Sequence, residues 1–183
     1  MNGINGGGDR RGLVFDSPWG WMGVSETVRG IDMIVLPNRS QRAVAMALGV
    51  RVLQGEESAR LSAARRQLLD YMSGVGKTFD VPIDCSSGTV FQRLVWRTLR
   101  RIPYGTVRSY QWVADRVGGR AYARAVGNAV GANPLPIVIP CHRVVAHDRS
   151  LGGFSGGLSM KRKLLALEGS LPLLRTRSSR SGS

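Results

Sequence analysis

Asn133-Pro134-Leu135-Pro136-Ile137-Val138-Ile139-Pro140-Cys141-His142-Arg143-Val144-Val145 is the stretch around which the chain is organised. Its prolines keep the approach out of helix, because proline lacks an N–H donor and disfavours the helical region in the residue before it. Ile137 to Ile139 form an apolar run that predicts a buried extended segment. The run delivers a cysteine, then a histidine, then an arginine. Proline often opens a helical turn, so Cys141 is expected at a helix N-terminus. Free N–H groups and a neighbouring cation favour thiolate there. The stretch reads as an activated nucleophile in an apolar wall. A bare Cys-His dipeptide would carry little weight; the full Pro140 to Val144 string after an apolar run carries much more.

Just upstream, two short helices flank a tight turn. Ser109 can cap the first, with Tyr110, Val113, Ala114 and Val117 on one face. Gly118-Gly119 makes the turn. The second is expected from Ala121 to Val130, with Tyr122, Val126 and Val130 buried. This spacing suits a helix-turn-helix. On the outward face of the second helix, Arg124 sits among Ala121, Ala125, Asn128 and Gly131. Small residues around one long cation let a helix lie close against a nucleic-acid backbone. A Gly/Ala-rich helix packed in a core would look similar, so charge must decide.

Charge favours the nucleic-acid reading. The 183 residues carry 26 Lys and Arg against 12 Asp and Glu, a formal net charge of +14. A polyanion is the natural partner of such an excess. Lysine occurs only at Lys77, Lys161 and Lys163. Coding bias can explain arginine over lysine, but not the excess of basic over acidic residues.

Further upstream, Thr89 to Ile102 is the clearest helix. Thr89 and Gln92 fit a capping box, and Phe91, Val95, Leu99 and Ile102 form a buried stripe. Pro103-Tyr104-Gly105 ends it. The first part of the chain reads as an antiparallel meander over residues 13–36, followed by helices over Ser40 to Leu53 and Ser58 to Met72. Phe79 to Asp84 is an extended connector. Downstream, Gly152 to Gly157 is a loop, and Ser159 can cap a last helix that stops at Gly169. Met160, Leu164 and Leu167 are its expected core stripe; Lys161, Leu165 and Glu168 form a second. Lys161 at its start and Glu168 at its end oppose the helix dipole, which marks both for work other than helix stability.

Residues 1–9 are expected to be a flexible leader, 10–84 an N-terminal α/β domain, 85–170 a C-terminal domain and 171–183 a basic disordered tail. Hydrophobic residues make up 43% of the chain, enough for a normal core. No run approaches the roughly 18 apolar residues of a membrane span, and the N-terminus has no apolar signal region. The expectation is a cytoplasmic protein with no membrane partner. Cys85, Cys141, His142 and His147 show no metal-ligand spacing, so neither metal nor cofactor is expected. Cys85 lies in the linker and His147 in a surface loop.

A thiol, an adjacent imidazole and a helical carboxylate suit a nucleophile with an oriented base. That logic serves a thiol hydrolase and an alkyl acceptor equally. The wider pattern separates them. Phe91 to Trp96, Ile102 to Gly105, Ser109-Tyr110, Ala123 to Gly127, Asn133-Pro134, Ile139 to Val145, Phe154 to Gly157 and Leu165 to Gly169 occur in one order. Together they closely resemble the O6-alkylguanine-DNA alkyltransferases, the methylated-DNA–protein-cysteine methyltransferases. The strong match covers residues 79–170, and the N-terminal part matches more loosely.

The resemblance implies an α+β protein with a small N-terminal antiparallel-sheet domain, ribonuclease H-like, and a C-terminal winged-helix-like helix-turn-helix domain. It implies a monomer that binds double-stranded DNA through the minor groove, flips the damaged base out and takes its alkyl group irreversibly onto Cys141. Whether O4-alkylthymine is also a substrate stays open. By the same resemblance, His142 takes the thiol proton through a water, and Glu168 orients His142. Tyr110 donates a proton toward the leaving base and Lys161 supports that end of the pocket. Asn133 ties the cysteine segment to the DNA-binding helix. Arg124 fills the space of the flipped base, with Ser109, Ala123 and Gly127 also on the DNA side. Val144, Phe154 and Ser155 face the base. Phe154 stands where some members have tyrosine, and the zinc ligands of the vertebrate-type N-terminal domain have no counterparts.

Other readings fit less of the chain. A lesion-binding relative without chemistry would lack Cys141. A thiol hydrolase does not need Arg124 on a helix-turn-helix. A transcription regulator does not need Cys141 with His142 and Glu168.

Overall fold

The computed structural model describes residues 10–53 and 57–174. The leader expected over residues 1–9 and the basic end of the tail lie outside the described residues. The chain divides into two compact units, residues 1–88 with 134–138, and residues 89–133 with 139–183. The segment 134–138, read from sequence as part of the C-terminal domain, thus belongs to the first unit.

In the first unit, β1 (Arg11–Phe15), β2 (Trp21–Glu26) and β3 (Ile31–Asn38) form the expected meander, with Leu13 opposite Val24 and Val24 opposite Ile34. Helix α1 (Gln41–Leu48) stops earlier than the sequence predicts. Gly49 takes a left-handed conformation, φ 59°, and frees the chain to form β4 (Arg51–Val52). This strand pairs parallel to β1, giving the order β3-β2-β1-β4. Helix α2 (Ala59–Met72) is capped by Ser58 and buries Leu61, Ala64, Leu68, Tyr71 and Met72, a stripe at helical spacing. Gly23 allows α1 to approach the sheet, since a Cβ there would lie 2.8 Å from side-chain carbons of Val44 and Leu48. Each large side chain buried in this core contributes about 1.5–3 kcal/mol. The connector joins the sheet through a bridge between Ile31 and Ile83.

The second unit opens with α3 (Val90–Leu99), which carries the complete Thr89–Gln92 capping box. Two-residue strand β5 (Arg108–Ser109) leads into α4 (Tyr110–Val117), capped by Ser109. After Gly118-Gly119 a 3-10 turn, Arg120–Tyr122, precedes α5 (Ala123–Gly131). The second helix therefore starts later than predicted, and Tyr122 is 46% exposed rather than buried. It packs against Phe91 with ring centroids 5.8 Å apart. Nε1 of Trp96, buried on α3, donates to the Ala129 carbonyl of α5 at 2.8 Å and holds the two helices in register.

Cys141–Arg143 form a 3-10 turn followed by β6 (Val144–Val145), parallel to β5. Helix α6 (Leu158–Leu167) begins after Gly157, one residue before the expected Ser159 cap, and ends on Glu168. It buries Lys161, Leu164 and Leu165. The stripe carrying Lys161 and Glu168 thus faces inward together with Leu164 of the expected core stripe, while Met160 and Leu167 are only half-buried. Leu171–Leu173 form a further 3-10 turn, so the start of the expected disordered tail is ordered. Ile137 is in a left-handed conformation, φ 76°, and buried. Ile137 and Val138 therefore form a turn, and the run is not one extended strand. A left-handed β-branched residue costs on the order of 1–3 kcal/mol, and surrounding burial holds it.

Candidate active site and nucleic-acid interface

Cys141 is buried to 2% exposure at the start of its 3-10 turn. Three residues do not make a helix whose N-terminus could strongly favour a thiolate. Burial pushes the Cys141 thiol up, against the lowering effects of an Asn133 hydrogen bond and the Lys161 charge. Burial thus works against the thiolate that the expected helix N-terminus would favour. Nδ2 of Asn133 donates to Sγ at 3.0 Å and to the Ile139 carbonyl at 2.8 Å. Asn133, just past the end of α5, thereby links that helix to the cysteine turn.

His142 is fully buried, and its Nε2 lies 2.9 Å from Oε1 of Glu168. Burial lowers the His142 pKa, with the Glu168 hydrogen bond acting against it. Burial would raise the Glu168 carboxyl, but hydrogen bonds from His142 and Arg143 outweigh it and hold the carboxyl down to about 2. An ionised carboxylate only accepts, so Nε2 carries the proton and Nδ1 is the basic nitrogen of the neutral ring.

Arg143 was not singled out by the sequence. Its Nε donates to Glu168 at 2.9 and 3.1 Å, its Nη2 at 2.8 Å, and its Nη1 to the Ile102 carbonyl at 2.7 Å. The Gly105 N–H adds a 3.2 Å bond to Oε2. The Ile102 to Gly105 turn therefore helps to fix the same carboxylate. No local pattern marks Arg143 as buried; its place beside His142 was the only signal.

Lys161 is fully buried, and burial lowers its pKa to about 8 against the pull of Cys141. Its ammonium donates to the carbonyls of Val144 at 2.6 Å, Gly153 at 3.1 Å and Leu151. The Tyr110 hydroxyl donates to the same Gly153 carbonyl at 3.3 Å. Burial raises the Tyr110 pKa, and Cys141 adds to the rise, so the phenol stays protonated. Lys161 thus pins the 151–153 loop to β6, and Tyr110 closes on that loop. Tyr110, Gly127, Phe154 and Ser155 line one cavity of about 120 Å³, with Val130 and Gly131.

The remaining expected DNA residues fall on a surface. Ala123, Arg124, Ala125 and Asn128 are exposed along α5. A Cβ on Gly127 or Gly131 would meet nothing within 4 Å, so this face is open to close approach. Ser109 differs: its hydroxyl accepts the Trp112 N–H at 3.1 Å and is used as a helix cap. Val144 is buried, with its carbonyl turned to Lys161.

A buried cysteine backed by a histidine–carboxylate pair, inside a helix-turn-helix unit, defines a DNA-directed protein with thiol chemistry. The family described as 6-O-methylguanine DNA methyltransferase, DNA binding domain, matches residues 90–170. A methylated-DNA–protein-cysteine methyltransferase of Mycolicibacterium paratuberculosis is 47% identical over 113 residues, covering 62% of this chain and 68% of that protein. One from Mycobacterium bovis is 49% identical over 107 residues, covering 58% and 64%. The crystal structure of Mycobacterium tuberculosis OGT in complex with DNA superposes with a TM-score of 0.73 at 36% identity, covering 88% of this chain and 94% of that one. The chain belongs to the methylated-DNA–protein-cysteine methyltransferase family.

Proposed function

We propose that this protein repairs O6-alkylguanine in double-stranded DNA by transferring the alkyl group to Cys141, once per molecule. The observation that carries the reading is the chain Asn133–Cys141 and His142–Glu168, built into the same unit as the open face of α5. An O6-alkyl carbon is out of reach while its base is stacked, so the base must leave the duplex. Arg124 on α5 fills the vacated space. The base enters beside Tyr110 and the 153–155 loop.

The thiol is protonated at rest, so the proton must move as the substrate arrives. His142 Nδ1 accepts it through a water, and Glu168 stabilises the imidazolium that forms. The S–C bond forms as the C–O6 bond breaks, and the electron pair stays on the base. The Tyr110 hydroxyl protonates the leaving guanine and is reprotonated from the histidine side or solvent. In the net reaction one alkyl group moves from O6 to Sγ and one proton moves from the thiol to the base. A thioether has no leaving chemistry comparable to that of a thioester, so Cys141 is not regenerated.

Cys141→Ser tests the assignment. Binding to duplex carrying O6-methylguanine should persist while transfer is lost. Transfer retained by the variant would overturn the role of Cys141.

A further inference from the structure

We propose that a second cavity of the helix-turn-helix unit grips the DNA phosphate backbone beside the lesion, away from the face of α5. The proposal rests on the DNA-directed function above. The cavity measures about 420 Å³. Arg108, Ser109 and Trp112 line it at the junction of β5 and α4, and Val145 of β6 lines it with His147 and Arg149 beyond the strand. No carboxylate is among its lining residues. Asp148, in the same turn, accepts the Ser150 N–H at 2.9 Å.

Two guanidinium groups converge on the Trp112 indole. Cζ of Arg116 lies 3.6 Å from the ring centroid and Cζ of Arg108 lies 5.5 Å away. Nη1 of Arg116 donates to the Trp112 carbonyl at 3.2 Å, and Nη1 of Arg108 to the Val107 carbonyl at 3.0 Å. A guanidinium has five N–H donors, so each keeps donors to spare. Among the described residues, Arg108, Arg116 and Arg149 form no ion pair with a carboxylate, while the nearby Asp115 pairs with Arg120 at 3.9 Å. Drawing like charges to one ring is unfavourable by itself. A polyanion offsets that repulsion, and a guanidinium held over an aromatic ring is pre-organised for a phosphate.

The cavity also lies beside the reactive residues in the chain. One wall of the cavity runs straight into Tyr110, and the other follows directly from the Cys141 turn. The first helix of a helix-turn-helix ordinarily crosses the DNA backbone, and here that helix is α4. Arg149 is presented from the tip of the 146–150 turn in a left-handed conformation, φ 63°. The site thus fits a phosphodiester flanking the flipped nucleotide.

The test is the salt dependence of binding to duplex DNA with a central O6-methylguanine, for the wild type and for Arg108→Gln/Arg149→Gln. Removing one arginine–phosphate interaction should reduce the slope of log affinity against log salt by about 0.9. The double variant should lose about 1–2 in slope and bind several-fold more weakly at low salt. Its transfer from free O6-methylguanine base should be unchanged. An unchanged slope with free-base transfer intact overturns the proposal and leaves the repair function standing. Wild-type protein that neither binds this duplex nor accepts its methyl group overturns both. If the double variant loses free-base transfer, the single Arg149→Gln decides: a slope reduced by about 1 supports the phosphate grip, and an unchanged slope rejects it.

Discussion

The Glu168 carboxylate lies 2.9 Å from Nε2 of His142, and neither side chain is exposed. Arg143 reaches the same carboxylate at 2.8 Å. One acid therefore serves two neighbours in the chain, neutralising a buried guanidinium and orienting a buried imidazole. The position of the imidazole and the charge beside it are set together.

Glu168→Gln separates these roles from simple packing. The amide keeps the shape and loses the charge. Breaking a buried pair by removing one partner typically costs about 3–5 kcal/mol, here because Arg143 is left uncompensated. The urea midpoint at neutral pH should fall accordingly. Transfer to Cys141 should slow by about 10²-fold or more, in line with loss of acid–base assistance. A variant as stable and as fast as wild type would remove Glu168 from the mechanism.

Stability should decline in acid in two stages. The pKa of His142 is held below 6.5 by burial, so below that pH the unfolded chain binds a proton that the folded one refuses. The Glu168 carboxyl is held at about 2 against its ordinary 4.5. Its contribution is complete above 4.5 and is lost between 4.5 and 2. Urea unfolding at a series of pH values should show stability falling below 6.5 and again below 4.5, with the second fall smaller in Glu168→Gln, where the lowered Asp84 carboxyl still contributes to it.

Asn133 donates to both Sγ of Cys141 and the Ile139 carbonyl. Asn133→Ala removes both donors. Leaving a buried acceptor unsatisfied costs about 1–3 kcal/mol, and the thiol loses the hydrogen bond that most opposes the effect of burial. The pH profile of transfer from free O6-methylguanine should shift to higher pH. A lower rate with an unshifted profile would mean that Asn133 only braces the turn.

Arg124 lies exposed on α5, whose outward face is otherwise small. Arg124→Ala should slow repair of duplex DNA at least ten-fold more than reaction with the free base (about 1.4 kcal/mol in the duplex-specific step), with little change in melting temperature. Equal losses on the two substrates would argue against a role in holding the base out of the stack.

Much of this was legible locally. The capping box at Thr89 and Gln92, the α2 stripe and the small outward face of α5 each follow from residues a few positions apart. Cys141, His142 and Glu168 were legible through their joint order along the chain. What was hidden depends on packing between distant residues. Strand β4 exists because Gly49 ends α1 early and β1 offers an open edge. The left-handed turn at Ile137 is held by burial against its own preference. Helix α6 turns its charged stripe inward because Lys161 meets three carbonyls and Glu168 meets Arg143, and apolar periodicity alone points to Met160 and Leu167. The cysteine turn is hidden for a related reason: Pro140 opens only three residues of 3-10 helix, and burial there works against a thiolate.

The most direct measurement is the stoichiometry of transfer. Excess duplex carrying O6-methylguanine with a labelled methyl group is incubated with the protein, and the label is followed by peptide mapping. The expected result is one label per protein molecule, on Cys141, with repaired guanine in equal amount and no second turnover. Label released to water, repeated turnover, or tight binding with no label on Cys141 would contradict the account.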